Sequence, residues 1–244
     1  MKKIASKLFE HPFLSQFVFL QKLLPFSDDE IKKIDEELAE YEQLFLNLDI
    51  EKNLISRNEL LISFAISKAE NSTLTLQEAQ TVYDFLLLNR EFTFISNKLK
   101  RKEKLTQKDH DKLEFFNIAK TFRSLNELSI TIDNITAADI RKLHRSLSLG
   151  LDVFEKYLPD FTVYKSGCFR KNDTIRVGSY VPAPFIQIEK GIDELLLYLK
   201  KNRTITGVSI FHTALYTLHP FNNGNKRVCR ILEHIFFMDL GLNG

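Results

Sequence analysis

An excess of charge of either sign is what this sequence most plainly lacks. Its 34 basic and 32 acidic residues leave a formal charge of +2. Nucleic-acid binders carry a strongly basic footprint, so no nucleic-acid partner is expected. Cysteine is scarce as well. Cys168 and Cys229 stand far apart without metal-site spacing, which excludes a disulfide-built scaffold and fits a reducing compartment, with a single disulfide between them left open. With only 8 glycines and 6 prolines against 44% hydrophobic and 27% charged residues, the composition excludes fibrous and disordered classes and favours helices. Long apolar runs are also missing. Lys2 and Lys3 precede an apolar region as in a targeting signal, but Lys7, Glu10 and Lys22 interrupt it. No later stretch approaches the roughly 18 uncharged residues of a membrane span. The expectation is a soluble, cytoplasmic chain without a membrane span, with secretion as an effector left open. Its 244 residues suit one large or two small domains.

What is present is helical. Ser27 and Glu30 form a capping-box pattern, followed by Ile31, Ile34, Leu38, Tyr41 and Phe45 at three- and four-residue steps. Such spacing lays one apolar stripe along a helix. Thr75 and Glu78 repeat the cap before Ala79, Val82, Tyr83, Leu86 and Leu87. Phe115, Ile118, Phe122 and Leu125 mark a further helix; Ile140, Leu143 and Leu147 mark another behind a Thr136 cap. One more is expected from about Ile186 to Leu199, and two flank His219. The charged run Lys98 to Lys104 reads as a solvated connector. A single β signal stands out: Phe169-Arg170 and Thr174-Ile175-Arg176-Val177 flank the turn-formers Lys171-Asn172-Asp173, a hairpin pattern. The fold class expected is all-α with a short β-hairpin. A soft division near residue 105 separates a helical region 1–105 from a second helical region 106–244.

Chemistry concentrates in residues 212–230, HTALYTLHPFNNGNKRVCR. An apolar helical stretch ends at His219, where Pro220 stops it. Phe221-Asn222-Asn223-Gly224-Asn225 is a polar turn with one aromatic anchor, and a helix resumes from Lys226 to Met238. The amides of Gly224, Asn225 and Lys226 therefore sit at a fresh helix N-terminus, a position suited to an anion. Arg227 and Arg230, three apart, project from one face of the first turn. Two guanidiniums and a helix N-terminus can hold a polyphosphate, and His219 is a candidate base for an incoming hydroxyl. His212 lies on the same helix face and reads as a packing residue, Cys229 as a buried small hydrophobe. His11-Pro12-Phe13 imitates the start of this segment but lacks the Gly-Asn pair and the arginines, and reads as coincidence.

The segment resembles the signature of the Fic family, H-P-F-x-(D/E)-G-N-(G/K)-R-x-x-R, and matches every fixed position but one. The resemblance covers roughly residues 60–240 and implies a Fic-type helical bundle: a core domain at 106–244, with motif 219–230 and a target-docking flap at 168–178. It also implies transfer of AMP from ATP to a Ser, Thr or Tyr hydroxyl of a target protein. His219 would take the hydroxyl proton; Gly224, Asn225 and Lys226 would line the cradle for the α- and β-phosphates; Arg227 would hold the β-phosphate and Arg230 the γ-phosphate. Phe221 would pin the loop. The flap, through Arg170, Thr174, Ile175, Arg176 and Val177, would pair with the target's backbone. Upstream, Glu70-Asn71 resembles the end of the inhibitory helix that some members carry N-terminally, here near 60–71, with Ile66 at the position of the usual hydroxyl residue. In the family that glutamate pairs with the second arginine, here Arg230, and competes with the γ-phosphate.

One departure bears on the cofactor. Asn223 stands where the family has an acidic Mg²⁺ ligand, and a neutral amide offers an oxygen without charge, so Mg²⁺ affinity should fall. Three other readings stay open: a kinase of the Doc branch, which shares a lysine at the place of Lys226 but generally lacks the second arginine; removal of AMP from a modified protein; and a nucleotide-binding module without turnover. Release of autoinhibition through a homodimer is a further expectation. The family's fold usually continues past the motif helix, whereas this sequence stops at Gly244, so either a longer protein or a fold without its final helix is expected.

Overall fold

A computed structural model describes residues 11–14, 29–30, 33–34, 36–37, 40, 52–88, 92–127, 129–158 and 164–241. The Ser27 cap and the apolar stripe behind it, Ile34 excepted, lie outside these residues. Eight α-helices have their bounds among the described residues: α1 Lys52–Ala69, α2 Leu76–Leu87, α3 Phe94–Lys100, α4 Gln107–Arg123, α5 Ala137–Ser148, α6 Ile188–Lys201, α7 Ile205–Leu218 and α8 Asn225–Asp239. Short 3₁₀ turns cover Leu125–Glu127, Leu151–Lys156 and Phe185–Gln187.

The helix starts follow local chemistry. Thr75 and Glu78 form the expected reciprocal cap of α2, and Thr136 does the same for α5 with Asp139. Thr106 and Asp109 form a third such box on α4, one that the sequence pattern did not single out. Each cap of this type contributes about 1 kcal/mol. The α6 helix starts at Ile188, two residues later than expected, because Phe185–Gln187 takes the tighter 3₁₀ form first.

Helix α4 is the spine. Phe115, Phe116 and Ala119 on one face pack with Leu60, Val82, Tyr83 and Leu86 of α1 and α2. Ile118 and Phe122 on the other join the main core of α5 to α8, built around Ile140, Leu143, Ile192, Leu195, Phe211, Leu215, Leu232 and Phe236. The two halves divided near residue 105 thus share one helix, which brings the end of α1 to the start of α8.

Two expectations are corrected by the fold. The run Lys98 to Lys104 is not simply a solvated connector: Lys98 belongs to α3, and its ammonium meets the buried Asp109 carboxylate at 2.9 Å. The hairpin at 169–177 does not form either. Among the described residues, pairing is limited to one antiparallel bridge, Val177 to Tyr180, around Gly178 and Ser179. Side chains have taken the place of a cross-strand partner. The Arg170 guanidinium donates to the Asn172 carbonyl (2.7 Å), the Thr174 amide donates to Asn172 Oδ1 (3.3 Å), and the Phe185 amide donates to Asp173 Oδ1 (2.7 Å). No described helix is long and apolar enough to cross a membrane.

Candidate functional site

The centre of the site is the turn between α7 and α8. His219 closes α7 in the left-handed conformation (φ 53°), unusual for a residue with a Cβ. Arg170 holds it there. Its Nε donates to the His219 carbonyl (2.8 Å), its backbone amide donates to the Pro220 carbonyl (2.9 Å), and its remaining nitrogens reach Asn172, Asp173 and the Ala183 carbonyl. Arg170 is therefore buried and committed, not a docking residue as expected. The other flap residues differ: Thr174 and Arg176 are exposed, Ile175 and Val177 half-buried.

Burial pushes the His219 imidazole down to about 4, with the Tyr216 backbone opposing and the Arg170 and Lys226 charges adding to the effect. A lowered pKa keeps the ring neutral at physiological pH, the form that can accept a proton. Tyr216 packs edge-on at 6.0 Å.

The loop is shaped from within. Asn225 Oδ1 accepts the Phe221 amide (2.9 Å) while its Nδ2 donates to the Phe221 carbonyl (2.8 Å). The Asn225 side chain thus closes the turn and leaves only its backbone amide for a ligand. Phe221 is fully buried and stacks on His144, with ring centroids 3.8 Å apart and planes nearly parallel (2°). The Gly167 amide donates to His144 Nδ1 (2.9 Å), which places the ring proton on Nε2, where it donates to the Asn223 carbonyl (3.0 Å). Burial lowers the His144 pKa to about 4, the Asn223 carbonyl opposing and Arg227 assisting. Gly167 needs its glycine: at φ 74°, a Cβ would lie 2.9 Å from the Arg145 side chain and 3.1 Å from the Arg141 carbonyl. Gly224 (φ 77°) begins α8 and makes no side-chain cap. The first amides of α8 are therefore uncapped by a side chain, and unsatisfied amides of this kind favour an anion.

The basic residues do not stand equally open. Arg230 is exposed, and Lys226 is half-buried with Nζ donating to the Ala69 carbonyl at the end of α1 (3.3 Å). Arg227, by contrast, is fully buried. Its Nη1 meets Glu114 at 3.1 Å and the Leu147 carbonyl at 3.3 Å, and its Nη2 reaches Asn223 Oδ1 at 3.3 Å. Burial alone would lower the Arg227 pKa, but the Glu114 and Glu70 carboxylates more than offset it, and the net direction is up.

Glu70 is near this centre but not where expected. Among the described residues it forms no ion pair with Arg230; its Oε1 is buried without a hydrogen-bond partner, and its charge bears on Arg227. The segment behind it is anchored by Asp111, which accepts from the Thr73 amide and hydroxyl (both 2.7 Å). Against burial, the largest single contribution, the His110 ring first, then the Thr73 contacts and Gln107, hold the Asp111 pKa down at about 2.

Glu114, His144 and Asp111 were missed in the sequence. For His144 a signal existed: it falls on the apolar stripe Ile140, Leu143, Leu147 of α5, where a polar residue must find partners. His212 takes a structural place, 3.0 Å from Glu233, and Cys229 is buried as expected. His11 also has a structural role: its amide donates to Glu194, and its ring Nε2 lies 3.0 Å from the Gln187 carbonyl.

The divalent cation implied by the resemblance does not fit these donors. Asn223 Oδ1 already accepts the Gly224 amide at 2.7 Å and Arg227 at 3.3 Å, which uses both its acceptor positions.

Residues 134–237 match the model of the Fic/DOC family. A 101-residue stretch is 34% identical to a protein of Aquifex aeolicus named "Probable protein adenylyltransferase", covering 40% of this chain and 31% of that one. The fold resembles a Fic family protein from Desulfovibrio desulfuricans (TM-score 0.62, 18% identity) and Fic-1 from C. elegans (TM-score 0.58, 18% identity). This chain is covered over 88% and 87% of its length by these structures, and each of them over 60%. The chain thus spans about a third of the curated relative and somewhat less than two thirds of these two structures.

Proposed function

We propose, on the match of residues 134–237 to the Fic/DOC family model, that this protein transfers AMP from ATP to a hydroxyl side chain of another protein. The observation that carries the reading is the pairing of a neutral, buried His219 with an uncapped α8 N-terminus flanked by Lys226 and Arg230. His219 takes the proton as the hydroxyl oxygen attacks the α-phosphorus; the bond from that phosphorus to the bridging oxygen breaks, and pyrophosphate leaves. The α8 amides, Lys226 and Arg230 stabilise the charge on the departing phosphates. Thr174, Ile175, Arg176 and Val177, at or near the surface beside the His219 turn, present the target segment. Arg170 is assigned a different part, holding the flap root against His219.

Autoinhibition belongs to the same proposal. One contact and one electrostatic influence support it: Lys226 donates to the Ala69 carbonyl, and the Glu70 carboxylate, its Oε1 buried, bears on Arg227. The end of α1 thus occupies Lys226, a cation that an incoming phosphate needs, and sets the Glu70 charge beside the cradle, where it repels the phosphates.

The test compares the wild-type protein, Glu70→Gly, and Glu70→Gly with His219→Ala, each incubated with lysate and ATP labelled at either the α- or the γ-phosphate. The expected outcome is protein-bound α-label that rises in Glu70→Gly and falls by about 10²- to 10⁴-fold when His219 is removed. Label from the γ-position alone would replace the reading by phosphoryl transfer. No label from either position, in any variant, would reduce the site to a binding module.

A further inference from the structure

We infer that Arg227, braced by Glu114, takes the position of a divalent cation against Asn223, so that the cradle engages a polyphosphate without a protein-held metal ion. The inference rests on the nucleotide reading above and concerns how that nucleotide is neutralised.

Three features combine. First, the amide oxygen at 223 has no acceptor position to spare. To reach it, a hard cation such as Mg²⁺, which demands near-ideal octahedral oxygens and sheds water reluctantly, would have to displace the Gly224 amide or the Arg227 guanidinium. Two neighbouring oxygens are engaged as well. Asn225 Oδ1 is taken by the Phe221 amide, and Glu114 is paired with Arg227.

Second, Arg227 is not placed to yield. It is fully buried and bonded to Glu114, the Leu147 carbonyl and Asn223. A cation seated at Asn223 would face the Arg227 charge at close range, and a divalent ion doubles the repulsion that a monovalent one would meet.

Third, the charges at 223 and 114 make sense together. The buried Arg227 guanidinium already has a carboxylate partner, supplied by α4 through Glu114. A carboxylate at 223 as well would set two anions on one cation in a buried place, whereas the neutral Asn223 avoids this and still accepts the Nη2 hydrogen bond. The neutral residue in the loop and the acid on α4 are thus one arrangement. Phosphate charge is left to Arg230, Lys226 and the first amides of α8.

The experiment is a fluorescence titration with a ribose-labelled ATP analogue on the full chain, in excess EDTA and in excess Mg²⁺. The expected Kd is the same in both buffers to within about threefold, and Arg230→Ala, an exposed substitution, weakens binding by about tenfold or more in both. Binding that tightens about tenfold or more when Mg²⁺ is added, worth about 1.4 kcal/mol, overturns this inference and leaves the nucleotide reading standing. An Arg230→Ala protein with unchanged affinity moves the nucleotide away from this cradle and overturns it too. Absence of binding in either buffer overturns the nucleotide reading and the inference together.

Discussion

His144→Phe is the substitution that most directly probes how the loop is held. The phenyl ring keeps the flat stack on Phe221 but cannot accept from the Gly167 amide or donate to the Asn223 carbonyl. Each of these hydrogen bonds is worth about 1 kcal/mol, more if the abandoned partner stays dry. The variant should therefore be less stable by about 2–3 kcal/mol near neutral pH. The difference should then shrink as pH falls. His144 has a folded pKa lowered to about 4 from 6.5, so between these values the unfolded chain binds a proton that the folded chain refuses. Stability contributed by the neutral ring is present above the unfolded value and is lost as pH falls through the window. The slope approaches 1.4 kcal/mol per pH unit and the total is about 3 kcal/mol. His144→Phe removes this one proton from the linkage and leaves every other group, His219 included, in place. Urea denaturation from about pH 7 to about pH 4.5 should show the two proteins converging as pH falls. Parallel stability curves, offset by a constant, would refute the assignment of His144 as a buried neutral ring bridging Gly167 and Asn223.

Arg170→Met should cost about 3 kcal/mol or more in urea denaturation, because the His219, Asn172 and Ala183 carbonyls lose charge-assisted donors. It should also raise the His219 pKa in an NMR titration, since a neighbouring cation that lowers it is gone; an unchanged His219 titration would separate the flap from the base. The two carboxylates near Arg227 should behave oppositely. Glu114→Ala strands a buried cation and should cost about 3–5 kcal/mol, whereas Glu70→Ala removes a carboxylate without an ion-pair partner among the described residues and should cost no more than about 0.5 kcal/mol. Equal losses in thermal or urea denaturation would contradict this division.

Features that depend on residues three or four apart were legible in the chain. Thr75 with Glu78 and Thr136 with Asp139 are complete within one helical turn. So is the break at His219-Pro220 followed by a new helix at Asn225, because Pro cannot continue α7 and glycine supplies the left-handed residue that starts α8. The all-helical class and the place of the histidine, the loop and the basic residues followed from such local rules. The roles of those residues did not, because a role depends on what arrives from elsewhere. Arg227 and Arg230 look alike in the sequence; α4 brings Glu114 under one of them and leaves the other in solvent. Alternation around Lys171-Asn172-Asp173 suggested a hairpin, yet the burial of Arg170 against the His219 turn redirects those backbone groups to side-chain partners. Glu70 was paired by resemblance with Arg230, whereas the docking of α1 on α4 through Asp111 and Thr73 sets it toward Arg227. Local sequence determined which elements form and where the chemistry gathers. Tertiary packing alone decided which charges are buried, because burial and its counter-charge come from segments distant in the chain.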